Sequence, residues 1–127
     1  MPTGRDVAIK RMDRVFDDEI DCKRILREIT LLRLFGTDPN SVGIAKIFDV
    51  LEPKDRTEFN SVYVVLDLAE SDLKKLLKVN TFLSLVQVKA IMFSLFSSLE
   101  YLHSEAVDVI HRDLKPANVL VNEDCTV

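Results

Sequence analysis

A long amphipathic helix is the sequence feature that most constrains the fold. Apolar residues recur at spacings of three and four between Phe82 and Leu102, a pattern typical of a helix with a broad apolar face. Ser84 and Gln87 match a capping box, so we expect the helix to begin there. Two charges, Lys89 and Glu100, interrupt the segment, which favours a helix buried on one side in a soluble core over a membrane span. The apolar face comprises Val88, Ile91, Met92, Leu95, Phe96, Leu99 and Leu102.

Composition indicates a globular protein that does not bind nucleic acid. The chain has 127 residues, of which 47% are hydrophobic, enough for the packed core of one domain. The formal net charge is −4 and the charges of both signs are interspersed, so no surface is predicted to neutralise phosphates. Cys22 and Cys125 lie at opposite ends, which is typical of free thiols in a reducing compartment. The N-terminus is too charged for a signal peptide, so we expect a cytoplasmic protein, with access to the nucleus left open.

The remaining pattern alternates strands and helices. DVAIK predicts a strand that ends at Lys10, and a helix is predicted from Asp18 to Phe35. Gly36 is expected to end that helix in a left-handed cap, with Pro39 preventing its continuation. The other predicted elements are a hairpin of strands at 44–50 and 61–69, a short helix at 71–78, and a strand at 119–121.

The octapeptide HRDLKPAN, from His111 to Asn118, is the strongest functional signal. It matches the protein-kinase pattern His-Arg-Asp-Leu-x-x-x-Asn at every fixed position, whereas the structural alternative is a polar loop between two strands. Phosphoryl transfer depends on positioning and charge stabilisation, which a carboxylate, a cation and an amide on one short loop can supply. Asp113 would accept the proton of an attacking hydroxyl, Lys115 would neutralise charge on the phosphoryl group, and Asn118 would give Mg²⁺ an oxygen ligand.

Several motifs together make the chain resemble a eukaryotic protein kinase along nearly its whole length. They are VAIK, LREITLLRLF, VYVVLDLAESDLKKLLK and the stretch around the HRD loop. Within that superfamily, LDLAESDLKKLLK is similar to the mitogen-activated and related kinases. The resemblance implies an α+β fold with one incomplete kinase domain. Residues 1–69 would form part of the small-lobe antiparallel sheet with its helix and the hinge, and residues 70–127 would begin the helical large lobe with the catalytic loop.

ATP and Mg²⁺ are the cofactors that this resemblance implies. Lys10, at the end of VAIK, would hold the α- and β-phosphates of ATP and pair with Glu28 of the following helix. On its own VAIK is a weak signal, because an apolar strand that ends in Lys is commonplace. Glu28 could equally be a solvated carboxylate on the surface of its helix.

The stretch LDLA resembles the hinge that binds adenine. Leu66 is similar to the gatekeeper residue, and the carbonyl of Asp67 and the amide of Ala69 would bond the edge of the base. Backbone groups do this work, so side-chain identity there says little. Asp72 would approach the ribose, or it would be an acid in the first turn of the short helix, favoured by the helix dipole.

Arg112 and Lys115 bear on regulation and specificity. Kinases with an Arg before the catalytic Asp typically use it to hold a phosphate on the activation loop, so Arg112 implies an upstream activating kinase. Lys115 followed by Pro116 resembles the Ser/Thr-specific loop, whereas tyrosine kinases usually carry Ala-Ala-Arg or Arg-Ala-Ala there. We therefore expect protein substrates with Ser or Thr acceptors. His111 is interpreted as a packing residue of the loop.

Two kinase motifs are missing from the 127 residues. The nine residues before Lys10 contain no Gly-x-Gly, and an Asp-Phe-Gly motif would be expected within about ten residues after Val127. We expect these residues alone to be inactive and at best molten, because apolar faces would stay uncovered. Two alternatives remain, a non-catalytic kinase-like binding module and a small-molecule phosphotransferase, whose loop usually reads His-Gly-Asp.

Overall fold

The computed structural model describes Gly4 and residues 6–51, 53–55, 57, 59–79 and 82–127. These residues form an α+β structure with two antiparallel sheets, as the sequence predicts. Parts of the first nine residues and of the charged loop before Ser61 lie outside the described residues. In order, the elements are β1 (Val7–Asp13), α1 (Glu19–Thr37), β2 (Ile47–Leu51), β3 (Ser61–Asp67), β4 (Ser71–Asp72), α2 (Leu73–Leu76), α3 (Leu85–Leu102), a 3₁₀ turn (Pro116–Asn118) and β5 (Leu120–Val121).

The chain divides into two compact units. The first comprises Met1–Pro39 and Ala45–Leu68, and the second comprises Asn40–Ile44 and Ala69–Val127. The first unit therefore contains the three-stranded sheet and α1, and the second contains the other two helices and the HRD loop.

The first unit is built on a sheet in which β3 lies between β1 and β2. Both neighbours run antiparallel to β3, and the predicted hairpin of β2 and β3 is confirmed. Adjacent residues Val64 and Val65 are both buried, so the central strand is covered on both faces. The register of β2 shifts between Ile47 and Asp49, which marks a bulge.

Strand β1 is longer than the sequence predicted. It continues past Lys10 to Asp13, pairing with β3 along its whole length. The sequence predicted an end at Lys10, before the charged residues Arg11 and Asp13. Instead they lie on its exposed face and pair with each other at 2.6 Å, while Met12 between them is half-buried. The alternation of exposed and half-buried residues that is typical of a strand therefore continues through Arg11, Met12 and Asp13.

Helix α1 begins where the sequence predicts. Asp18 is the N-cap, and its carboxylate accepts hydrogen bonds from the amides of Ile20 and Asp21 at 2.7 and 3.0 Å. Phe35 is the buried residue near the other end.

The predicted left-handed cap at Gly36 is wrong. Gly36 lies inside α1, which runs on to Thr37, and Gly36 is not among the glycines with positive φ. The helix ends at Asp38, whose φ of −86° and ψ of 117° are extended. The residue before a proline is driven from helical to extended backbone, so Pro39 accounts for this end.

Helix α3 is the main element of the second unit, and it begins at the predicted capping box. The amide of Gln87 donates to the hydroxyl of Ser84 at 3.3 Å, and the amide of Ser84 donates to Oε1 of Gln87 at 2.9 Å. By length and composition α3 could also span a membrane, a test that core helices of soluble proteins pass as well.

The buried face of α3 is narrower than the predicted stripe. Ile91 packs in a core cluster with Val119 and Val121, and Ser98 and Leu102 are also buried. Other members of the stripe are exposed, with values of 40% for Val88, 39% for Met92 and 59% for Phe96.

Helix α2 is shorter than predicted because the residues before it form a strand. Ser71 and Asp72 pair with Val121 and Leu120 in a two-stranded sheet. The amide of Leu73 then donates to the carbonyl of Val119 at 2.8 Å. These bonds and the buried Val119 fix the chain just after Asn118, which ends the HRD loop.

Candidate active site

Two side chains of the HRD loop, those of Lys115 and Asn118, converge on the carboxylate of a third residue, Asp113. Nζ of Lys115 lies 3.0 and 2.8 Å from the two carboxylate oxygens of Asp113. Nδ2 of Asn118 lies 2.8 Å from Oδ2 of the same carboxylate and 2.9 Å from the backbone oxygen of Asp113. The structure thus brings together the three residues that the sequence predicts to be catalytic.

The loop reaches this geometry through a short 3₁₀ turn at Pro116–Asn118. Lys115 precedes the turn in extended conformation, and Pro116 suits the first position of a helical turn because its φ is fixed and it has no amide hydrogen to satisfy. The amide of Asn118 closes the turn on the carbonyl of Lys115 at 2.9 Å. The turn therefore folds Asn118 back toward Asp113.

Asp113 is held in its ionised form. Hydrogen bonds from Lys115, then from Asn118, lower the pKa of Asp113 below its ordinary value, and the positive charge of Lys115 adds to the effect. The side chains of Asp113 and Lys115 are 62% and 53% exposed, so the carboxylate can be reached from solvent. It is an ionised acceptor that could orient a hydroxyl.

Asn118 presents an amide oxygen that suits a hard cation. Both groups near Nδ2 are acceptors, the backbone oxygen and the carboxylate of Asp113, which fixes the amide orientation and turns Oδ1 away from them. Amide oxygens are ligands that Mg²⁺ accepts. Within the described residues, no three His, Cys, Asp or Glu side chains cluster as metal ligands. Asn118 fits one position of a magnesium shell, which phosphate and water oxygens would have to complete.

The role predicted for His111 differs from what the structure shows. The side chain is exposed instead of packed, and its Nδ1 accepts a hydrogen bond of 3.2 Å from the amide of Asp113. His111 therefore shapes the loop through a polar contact. Arg112, between these two residues, is exposed and has a positive φ of 64°, which turns the chain sharply before Asp113.

Lys10 and Glu28 meet in the first unit. Nζ of Lys10, on β1, lies 2.5 Å from Oε1 of Glu28, on α1. Their side chains are 46% and 44% exposed, so the pair contributes only about 0–1 kcal/mol to stability. The structure pairs Glu28 with Lys10, as the sequence predicts, and the role of this pair toward ATP stays a prediction.

The predicted hinge residues follow the central strand. Leu66 lies in β3 opposite Ala8 and Ile47, and it is half-buried. Asp67 is the last residue of β3, and its amide donates to the carbonyl of Lys46 at 2.8 Å. Ala69 follows in the second unit and is half-buried. Their roles toward adenine stay predictions.

Asp72 is the N-cap of α2. Its carboxylate accepts a hydrogen bond of 2.8 Å from the amide of Lys75, and Nζ of Lys75 lies 3.4 Å away. The backbone hydrogen bond from Lys75 lowers the pKa of Asp72, so this carboxylate is ionised as well. Asp72 therefore lies at the N-cap, one position before the first turn that the sequence offered as the alternative, and a contact with ribose stays a prediction.

Comparison with known proteins assigns the family. The family model of the protein kinase domain matches residues 1–127, the whole chain. The chain belongs to the protein kinase family. The two sheets and their helices are accordingly part of the small lobe and the beginning of the helical lobe of a kinase.

The curated proteins that this kinase chain matches include mitogen-activated protein kinases of plants, as LDLAESDLKKLLK suggested. Mitogen-activated protein kinase 15 of Arabidopsis thaliana is 46% identical over 97% of the chain, which covers 20% of that relative. Mitogen-activated protein kinase 4a of Physcomitrium patens is 39% identical over 97% of the chain, covering 31% of the relative. Mitogen-activated protein kinase 1 of Oryza sativa subsp. japonica is 40% identical over 97% of the chain, which covers 29% of that relative. The kinase chain thus spans about a fifth to a third of these relatives.

Sequence reasoning missed one group of polar contacts in the first unit. The side chain of Asn60, just before β3, bonds to the loop between β1 and α1. The partners are 43 and 44 positions away in sequence, so no local pattern could have identified them. At this point the sequence predicted only a strand that begins at Ser61.

Proposed function

We propose that the protein containing this chain is a mitogen-activated-kinase-like protein serine/threonine kinase, which transfers the γ-phosphoryl group of ATP to Ser or Thr hydroxyls. One observation carries the proposal: the carboxylate of Asp113 is bonded by both Lys115 and Asn118. A carboxylate, a cation and an amide oxygen at one point are what a loose phosphoryl-transfer transition state requires. Membership of the kinase family supports the same conclusion.

In the proposed mechanism Asp113 acts on the acceptor. Its lowered pKa keeps it ionised at neutral pH, so it can accept a hydrogen bond from the substrate hydroxyl and orient it toward the phosphorus. Because such a carboxylate is a weak base, it takes the proton late, after bond breaking to the leaving oxygen is advanced. Lys115, already at the carboxylate, stabilises the negative charge on the transferring group.

Residues of the first unit and of the HRD loop are each proposed to contact the nucleotide or its metal ion. Lys10, oriented by Glu28, would bind the α- and β-phosphates, and Mg²⁺, when bound, would neutralise phosphate charge with Oδ1 of Asn118 among its ligands. The backbone of Asp67 and Ala69 would bond adenine, with Leu66 and Asp72 beside the base and the ribose. We infer that residues 1–127 alone turn over negligibly, because the described residues offer Mg²⁺ so few ligands.

Regulation and specificity follow from two residues of the loop. The exposed Arg112 would bind a phosphate placed by an upstream activating kinase. Lys115 with Pro116 supports Ser/Thr acceptors in protein substrates. A cytoplasmic location, with access to the nucleus left open, completes the proposal.

The test uses the full-length protein purified from its own cells, where an activating kinase is present. Incubation with radiolabelled ATP, Mg²⁺ and a general protein acceptor should give phosphoserine and phosphothreonine. Asp113→Asn should lower the rate about a hundredfold or more. Asp124→Asn is the matched control, because that carboxylate is also bonded locally and has a lowered pKa but lies outside the loop.

Three results would contradict the proposal. Labelling of tyrosine alone would exclude Ser/Thr specificity. Transfer to a small molecule but to no protein would favour a small-molecule phosphotransferase. Absence of any transfer by the wild-type protein would favour a non-catalytic binding module.

A further inference from the structure

The loop between β1 and α1 is attached to the start of β3 through Asn60, the residue just before that strand. Nδ2 of Asn60 donates to Oδ1 of Asp17 at 2.6 Å, and Oδ1 of Asn60 accepts from the amide of Phe16 at 3.0 Å. The backbone oxygen of Asn60 also accepts from the amide of Val15 at 3.2 Å. Asn60 thus uses its amide donor, its amide acceptor and its carbonyl on three consecutive residues of the loop.

The attachment is reinforced by packing. Val15 is 2% exposed, and the rings of Phe16 and Phe59 meet edge to face with centroids 5.1 Å apart. Asp17 is held on its other side by Arg14, at 2.5 Å. Hydrogen bonds from Asn60, then from Arg14, lower the pKa of Asp17, so the acceptor for Asn60 stays ionised.

This attachment point lies directly before α1. Asp18, next to Asp17, is the N-cap of the helix, and the first-turn residues after it are exposed. Phe35, the buried residue of α1, lies near the opposite end. The N-terminal half of α1 therefore depends for its position on the loop that Asn60 holds.

A change at the loop is carried along the helix to Glu28. Seven positions separate Glu28 from the buried Phe35, a distance of about 10 Å along an α-helix at a rise of 1.5 Å per residue. A tilt of about 10° about the Phe35 end would move Glu28 by about 2 Å. That would break the 2.5 Å contact with Lys10, which is too exposed and too weak to hold the helix itself.

We propose that Asn60 is a positioning residue, which fixes the start of α1 and so keeps Glu28 in reach of Lys10. The inference rests on the proposed function for its effect on phosphoryl transfer, but the placement of Glu28 can be measured without activity. Asn60 bonds the loop before α1 to the sheet that carries Lys10. Lys10 and Glu28 are therefore both positioned relative to that sheet. The control residue is Ser61, next in the chain, whose hydroxyl donates to Asp13 at 2.6 Å and does not bond the loop residues 15–17.

The first experiment measures the reactivity of Lys10 in the nucleotide-free full-length protein. An amine-selective acetylating reagent is applied, and modification of Lys10 is followed by mass spectrometry. Asn60→Ala should raise the labelling rate toward that of Glu28→Gln, because the carboxylate no longer covers the ammonium group. Ser61→Ala should leave the rate at the wild-type level. Unchanged labelling in Asn60→Ala would overturn the proposal, whatever the activity.

The second experiment measures steady-state kinetics. Asn60→Ala should raise KM for ATP and lower kcat/KM about fivefold, and the same change in a Glu28→Gln background should add almost nothing. An equal fivefold loss in that background would identify a merely structural role and overturn the proposal. If the wild-type protein transfers no phosphate while Lys10 labelling changes as expected, the proposed function fails and the positioning role stands.

A swap of the two polar side chains gives a rescue test. Asn60→Asp places two carboxylates against each other and should raise Lys10 labelling. Adding Asp17→Asn restores a hydrogen bond with donor and acceptor reversed, and the Phe16 amide keeps its acceptor, so labelling should return toward wild type. Failure of the double variant to recover, in protein with wild-type circular dichroism, would overturn the role assigned to this contact.

Discussion

Asn118 bonds Asp113 twice through one nitrogen, with Nδ2 at 2.9 Å from the backbone oxygen and 2.8 Å from Oδ2. The residue proposed to bind Mg²⁺ therefore also fixes the carboxylate proposed to orient the acceptor. Because both functions depend on one amide, a change at Asn118 affects the metal and the hydroxyl together.

Replacing Asn118 tests this double dependence. In the full-length kinase, Asn118→Ala removes the oxygen ligand and both bonds to Asp113, so kcat should fall about a hundredfold or more. Asn122→Ala is the control, because the amide of Asn122 bonds a residue outside the HRD loop, with Nδ2 3.1 Å from Oγ1 of Thr126. Steady-state kinetics over a Mg²⁺ titration would measure both. A kcat for Asn118→Ala close to that of Asn122→Ala would contradict the assignment.

The pH dependence of Asp113 follows from Lys115. Hydrogen bonding by Lys115 is the largest cause of the lowered pKa of Asp113, so Lys115→Met should raise that pKa toward its ordinary value. Loss of the ionised form on acidification would then begin at higher pH in the variant than in the wild type. Carboxyl ¹³C NMR titration of the full-length protein measures the midpoint directly. Lys78→Met, on the exposed surface, should not move it, and a midpoint shifted downward by Lys115→Met would be incompatible with this geometry.

The capping box of α3 makes a prediction about stability. Ser84→Ala removes the acceptor for the amide of Gln87, which should cost about 1 kcal/mol and lower Tm of the full-length kinase by about 2–4 °C. Ser84→Asp keeps an acceptor at the N-cap and should stay close to wild type. Differential scanning calorimetry would compare them. Equal losses in the two variants would show that capping is not what Ser84 contributes.

Two glycines should respond oppositely to the same substitution. Gly36 lies within α1 with no atom within 4 Å of an added Cβ, so Gly36→Ala should stabilise by about 0.5–1 kcal/mol. Gly43 has φ of +64°, and its added Cβ would lie 1.9 Å from Oγ of Ser98 and 3.0 Å from the carbonyl of Val127. Gly43→Ala should therefore destabilise by more than about 1 kcal/mol. Urea unfolding of the full-length protein would rank them, and tolerance of Gly43→Ala would contradict the close approach to Ser98.

The parts of the fold that the sequence predicted well are those set by local physics. The capping box at Ser84 and the start of α1 at Asp18 depend on residues within one helical turn, and both are present. The convergence of Asp113, Lys115 and Asn118 follows from a turn of three residues. Short-range geometry was enough for each of these features.

Some of the errors arose where distant contacts decide the outcome. Pairing with β3 carries β1 past Lys10 to Asp13. The error at Gly36 was local, since Gly36 stays helical and Pro39 ends the helix three residues later. The contacts of Asn60 join segments more than forty positions apart, and the exposed face at Phe96 could not be distinguished from the buried one at Ile91 by periodicity.

The positive φ of 64° at Arg112 has a consequence for how such loops diverge. A left-handed residue other than glycine costs about 1 kcal/mol or more, so this bend is a position where glycine fits without strain. It is also the position at which the His-Gly-Asp loop of small-molecule phosphotransferases differs from HRD. One substitution there would exchange the two loop types on the same bend of the main chain. Under the role proposed for Arg112, that substitution would remove or add the side chain that binds a regulatory phosphate.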